Sequence, residues 1–268
     1  MNKRIFYIIA IAAIIPLFNL RVQASTIESA VKNLDSSLNQ FVTAKDDING
    51  NQLSPEEDLA YRKKVVTDAL ALSLKEISEL RNKLDSFDFS EESTETDLKK
   101  QYLSDLDAFE SVYKEFRDKL NEGVSVDDVK DIAKRTRDYR DETYTSGTEP
   151  ILDFVFAFQT NRLADNAEVR HSKIDADIKK LEKANFIEKD YFMRQMTEAG
   201  KYISDAKGLV NKAKDMILNP QDNEDKDSED ESSSAPTPRE LCEAALVNLK
   251  SAYSIFVNIS GTVKKLIK

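Results

Sequence analysis

Two kinds of chemistry are offered by residue type and spacing, hard-cation binding and thiol or imidazole reactivity. Oxygen-bearing side chains stand at the first, third and fifth places of the stretch beginning Asp47, Asn49, Asn51, and a carboxylate, Asp58, stands at the twelfth. Calcium takes six to eight oxygen ligands, and such spacing between two helices is how a short loop supplies them. Single residues represent the other chemistry: His171 is the only histidine and Cys242 the only cysteine. One histidine excludes histidine-rich metal sites and Cys/His zinc sites within one chain, and a Ser-His-Asp triad would have to use His171. One cysteine excludes an internal disulfide.

Measured against the EF-hand pattern, the loop departs where geometry matters. The sixth position is Gln52 rather than glycine, the eighth is Ser54, and Asp58 reaches a bidentate geometry less easily than glutamate. With one residue deleted from the register, Leu53 and Glu57 take the eighth and twelfth places. A helix-helix turn capped by Ser54 accounts for the same residues. The sequence therefore calls for no cofactor, with Ca²⁺ kept as an alternative ligand of Asp47, Asn49, Asn51 and Asp58. His171 sits in a polar stretch and is expected to face solvent, while Cys242 falls on an apolar seam and is expected to be a buried small hydrophobe. Nothing gathers carboxylates into an acid-base pair, and no phosphate loop, dinucleotide fingerprint or zinc-protease helix occurs. The expectation is a protein that is not an enzyme.

The elements that must position these residues are helices. Apolar residues recur at spacings of three and four along Ile27, Val31, Leu34, Leu38, Phe41, then along Leu59, Val66, Leu70, Ile77, Leu80, Leu84, Phe87, where Lys63 and Ser73 fill the missing steps, and again from Tyr102 to Leu120. The seams Phe192 to Ile217 and Cys242 to Leu266 are unbroken. Ser54-Pro55-Glu56-Glu57 and Thr237-Pro238-Arg239-Glu240 mark helix starts with hydroxyl, proline and glutamate, and Ser125-Val126-Asp127-Asp128 marks another. Gly123, the Ser146-Gly147 pair and Asn219-Pro220 read as stops. The fold class expected is all-α, an elongated helical bundle or antiparallel coiled-coil-like arrangement of about seven helices. Within the fifth helix, Ile151 to Phe158 is apolar on nearly all sides. The seam then falters through Gln159, Arg162, Asp165, Asn166, Arg170 and His171, as though the helix left the core for solvent.

Residues 1–24 read as a signal peptide: basic Lys3 and Arg4, an apolar run from Ile5 to Leu20, and small or compact residues at Val22 and Ala24. Pro16 and Asn19 interrupt the run, which falls short of the roughly 20 residues that span a bilayer, so cleavage after Ala24 is expected in preference to an N-terminal membrane anchor. Either way the body is placed outside the cytoplasm, secreted or in the cell envelope. The 39 basic residues less the three in the leader leave 36 against 49 acidic, a charge near −13, which disfavours nucleic acid as a partner. Domains follow as 25–218 a helical bundle, 219–237 an acidic disordered linker with seven carboxylates, and 238–268 a C-terminal amphipathic helix.

The runs VDDVKDIAKRTRDYRDE, EPILDFVFAFQ, DADIKKLEKANFI and NLKSAYSIFVNISGTVKKL, across about residues 124–268, resemble a group of secreted helical proteins of small-genome candidate-phylum bacteria to which no activity is assigned. The resemblance implies a bacterial exported protein and transfers no site residue. The function expected is a binding or structural role in the cell envelope, through a protein partner or self-association along helix seams. Leu246, Tyr253 and Ile267 broaden the last stripe, and with Phe256 and Val263 of its seam they are expected to form an interaction surface. Peripheral membrane contact through that last helix, with its basic end, is the first alternative, and calcium binding at 47–58 the second.

Overall fold

Every start that the sequence marks with a hydroxyl and an acid three residues on is a formed cap. The Glu57 N–H donates to Ser54 Oγ (3.2 Å) while the Ser54 N–H donates to Glu57 Oε2 (3.1 Å). Asp128 and Ser125 exchange the same pair of bonds at 3.2 and 2.9 Å, and Glu240 and Thr237 at 3.2 and 2.8 Å. Each reciprocal pair satisfies two donors that a helix N-terminus otherwise leaves unpaired.

The computed structural model describes residues 21–46, 53–123, 125–183, 189–220 and 235–266. The leader as far as residue 20, the loop residues Asp47, Asn49 and Asn51, most of the acidic segment and Ile267 lie outside the described residues. The chain is all-α: α1 (Arg21–Asp46), α2 (Pro55–Asp85), α3 (Thr94–Glu122), α4 (Val126–Tyr139), a π-helical turn (Arg140–Tyr144), α5 (Thr145–Lys183), α6 (Lys189–Leu218) and α7 (Pro238–Leu266). No strand occurs among the described residues, and none of their helices is long and apolar enough to cross a membrane. The chain divides into two units, residues 1–149 and 150–268. The division falls inside the stretch read from the sequence as one bundle, and the last helix belongs to the second unit.

In the first unit the cross-helix pairs fix directions. Gln40 meets Lys64 and Phe41 meets Tyr61, so α1 and α2 are antiparallel. Arg81 meets Asp107 while Lys99 meets the Asp85 carbonyl, so α2 and α3 are antiparallel; Arg135 lies over Phe116 while Tyr139 meets Tyr113, so α3 and α4 are too. The core is the set foreseen for α2 and α3, with Leu70, Ile77, Leu84, Leu106, Tyr113 and Leu120 all at most 1% exposed. The α1 seam differs at one step. Leu38 is 41% exposed, and the buried position belongs to Ser37, whose hydroxyl donates to the Asp68 carboxylate and also lies 3.0 Å from the Asn33 carbonyl. A small hydroxyl lets α1 approach α2 where leucine would hold it off.

The second unit is three helices. Lys207 reaches Asp165 and Glu168 from α6 to α5, antiparallel, while Arg239 clamps Asp153 (2.7 and 3.0 Å) at one end of α7 and Phe256 packs on His171 further along, so α7 runs parallel to α5. Phe192, Met196, Ile203, Val210, Leu249 and Phe256 form one core with Ala164, Ala167 and Ile178.

Two expectations are corrected here. Ser146-Gly147 does not stop a helix, because α5 runs through it and through Pro150. Gly147 is required by contact instead: a Cβ there would lie 2.5 Å from Phe109 Cζ. Nor does α5 leave the core beyond Phe158. Thr160, Ala164, Ala167 and Ile178 are buried, with His171 and Ile174 half-buried between them, so the seam continues on small side chains. Arg162, Asp165, Asn166 and Arg170 occupy the opposite, solvated face.

Candidate functional site

A cleft of about 370 Å³ opens in the first unit between α1, α2 and α4. Phe41, Val65, Val66, Val129 and Ala133 line it with apolar surface, and Arg62, Lys130, Lys134 and Arg137 stand around it. The amphipathic spacing of α4 produces this arrangement. Val129 and Ala133, one turn apart, face α2, and Lys130, Lys134 and Arg137 flank them. The Arg62 guanidinium lies over the Phe41 ring (5.0 Å), as does Lys45 Nζ (4.6 Å), so Phe41 is held by cation–π contact as well as packing.

Cations in an acidic chain are usually neutralised locally, and most of these are. Arg62 bonds Asp58 (2.8 Å), Lys130 bonds Asp127 (3.1 Å) and Arg137 bonds Asp138 (2.7 Å). Lys134 makes no ion pair with a carboxylate among the described residues, and neither does Lys45, which lies over the Phe41 ring. The cleft therefore pairs an apolar lining with two cations that have no carboxylate partner, Lys134 in its wall and Lys45 on the face of Phe41.

The wall formed by α4 is fixed by a buried polar cluster further along the same helix pair. Arg140, in the π-helical turn, donates to Ser73 Oγ (2.9 Å) and to Glu76 Oε1 (3.1 Å), and its guanidinium lies 5.5 Å from the Tyr144 ring centroid. The extra residue of a π turn brings Arg140 inward: the Thr145 N–H bonds the Arg140 carbonyl five residues back. Tyr113, Tyr139, Phe116, Phe109 and Tyr144 surround the cluster edge to face. Burial tends to lower the Arg140 pKa, but the Glu76 carboxylate outweighs it and the net shift is upward. Burial first, and Glu76 second, pushes the Tyr144 phenol well up. The Tyr113 phenol is pushed up to about 12, chiefly by burial, with Arg140 and Ser73 acting in the opposite direction. Although Ser73 is near enough to influence it, the Tyr113 hydroxyl makes no hydrogen bond of proper geometry. Every member of this cluster is engaged with its neighbours inside the core, so it reads as a brace for α4.

The residues singled out from sequence are dispersed. Of the calcium set, only Asp58 is described, and its Oδ2 accepts from Arg62. Glu57, its alternative, is held by the Ser54 cap. No group of three or more His, Cys, Asp or Glu placed to hold a metal occurs among the described residues. His171 is not solvent-facing: its Nε2 lies 2.8 Å from the Met196 carbonyl and it packs on Phe256 and Gly200. Cys242 is fully buried, and burial pushes its thiol up to about 12. Phe256 is buried within the second unit, with Leu246, Tyr253 and Val263 half-buried against the same core. Sequence reading missed the cleft. Its signal was present in the alternation of Val129, Lys130, Ala133, Lys134 and Arg137, but it becomes a site only once α1 and α2 supply Phe41, Val65 and Val66.

Comparison with protein-family models, with curated proteins and with solved structures finds no match to this chain.

Proposed function

We propose that this chain is an exported helical binding protein that acts by holding a partner against a helix surface, without chemistry of its own, and that the α1–α2–α4 cleft is where it binds. The observation that carries the reading is the cleft itself, in which apolar side chains from three helices meet beside a lining cation without an ion pair, Lys134, in a strongly acidic chain. A concave apolar surface rimmed by polar groups is where proteins take ligands; here half-buried Phe41, Val65 and Ala133 form its walls over a floor of buried Val66 and Val129. Support for export comes from the leader, whose cleavage would leave Ser25 first. Lysine footprinting of the full chain with and without envelope extract tests the binding site. Protection of Lys130 and Lys134, with Lys179 and Lys180 of the second unit labelled as before, is expected. Protection confined to the second unit would overturn the assignment.

A further inference from the structure

We infer that the cleft takes an amphiphilic organic monoanion, a single carboxylate carried on an unbranched aliphatic body; the inference rests on the reading of the cleft as the binding site. Charge sets the number of anionic groups. Three of the four cations that line the cleft already hold Asp58, Asp127 and Asp138, so a polyacidic partner would meet three carboxylates; Lys45 is engaged on the face of Phe41, and one negative charge meets Lys134, the lining cation without an ion pair. Lys134 is exposed, so its ammonium can swing over the cleft mouth on its four-carbon stem, which itself covers apolar surface.

The lining sets the rest of the ligand. Val65 and Ala133, half-buried over the closed floor of Val66 and Val129, offer no hydrogen-bonding group, and burial against them is non-directional, so they reward apolar length rather than a particular pattern of polar atoms. Phe41 is already covered on its face by Arg62 and Lys45, which leaves less of it for stacking an aromatic ligand and favours an aliphatic one. A volume of about 370 Å³ lies at the small end of ligand pockets, suited to one medium-length chain rather than to a two-chain lipid or a partner helix.

Isothermal titration of the purified full chain with decanoate, below its micellar concentration, tests the assignment. Decanoate is expected to bind saturably at one site. Acetate, which lacks the body, is expected to give no heat, and decyltrimethylammonium, which reverses the charge, to bind at least tenfold more weakly. Lys134→Glu, at an exposed position that packing does not constrain, is expected to weaken decanoate at least tenfold; Arg162→Glu on α5 is expected to leave it unchanged. Ala133→Trp fills the lining and is expected to abolish binding while thermal unfolding stays cooperative. Absence of decanoate binding, or binding indifferent to Lys134→Glu, overturns the inference. If an acidic amphipathic peptide is then found to protect Lys130 and Lys134, the ligand class alone has failed; if nothing protects them, the binding site itself has failed.

Discussion

Tyr113 is fully buried, and its hydroxyl has no properly formed hydrogen bond, so the fold holds the phenol in its neutral state. The sign of the consequence is fixed. Below about pH 10 the phenol is protonated in both folded and unfolded chains; above it the unfolded chain ionises first, and stability falls until the folded value near 12 is passed. At about 1.4 kcal/mol per pH unit, Tyr113 alone accounts for a loss on the order of 2–3 kcal/mol between pH 10 and 12. Urea midpoints read by far-UV circular dichroism from pH 8 to 11.5 should therefore fall less steeply for Tyr113→Phe than for the natural chain. Taking the difference between the two proteins removes Lys83, which burial lowers, and Cys242, which burial raises, and leaves Tyr113 together with its coupling to the adjacent Tyr144 phenol. Near neutral pH, removing a buried hydroxyl that has no partner should raise stability, by about 1 kcal/mol or more. Identical slopes for the two proteins would mean that the phenol titrates as in water. None of this was legible in the sequence, where Tyr113 is simply one step of an apolar seam.

At the scale of elements, the helices of strong period were legible, and so were their starts. Ser54, Ser125 and Thr237 each announced a cap, and the seams of α2, α3, α6 and α7 are the buried faces, except at the end of α7, where burial stops at Ile259 and the last seam residue, Leu266, is 54% exposed. What the sequence obscured was the use of small residues. Along α5, Thr160, Ala164 and Ala167 carry the seam without an apolar signal strong enough to mark it, because a narrow side chain lets helices approach and contributes little hydrophobicity of its own. Glycine misled for the same reason. Gly147 reads as a stop, yet it lies within α5, where a Cβ would sit 2.5 Å from the buried Phe109 ring, itself edge-on to Tyr144 at 5.5 Å. Gly208 lies inside α6 with nothing within 4 Å of a Cβ. Alanine should thus act with opposite signs at the two positions. Gly208→Ala gains the helix propensity of about 0.5–1 kcal/mol. At Gly147 the overpacking cost of about 1–3 kcal/mol exceeds that gain, so Gly147→Ala should lower the melting temperature while Gly208→Ala raises it. A rise at both would show that Phe109 moves aside freely.

For the whole molecule, the division at residue 149 gives each unit a core of its own: the aromatic cluster around Tyr113 in the first, the Phe192 to Phe256 seam in the second. No linker-like composition marks this division, since the chain passes it inside α5, whereas the acidic segment that does look like a boundary lies between two helices of the second unit. If the units rest on separate cores, damage to one should stay there, and the chain carries a reporter for each. Arg140→Ala removes the partner of Glu76 in the first unit. Their side chains are 29% and 17% exposed, so the loss should be about 2 kcal/mol, less than the 3–5 expected for a fully buried pair. Amide exchange in residues 106–120 should then accelerate by roughly thirtyfold, since about 1.4 kcal/mol corresponds to a factor of ten. Cys242, the single thiol and fully buried in the second unit, reacts with a thiol reagent only when that unit opens, so its labelling rate in the same variant should change by less than about twofold. Equal acceleration of both readouts would show instead that α5 couples the two cores into one cooperative transition. A cleft mutation in the first unit would in that case reach the second, and the Arg162→Glu control in α5 would no longer be independent of the cleft.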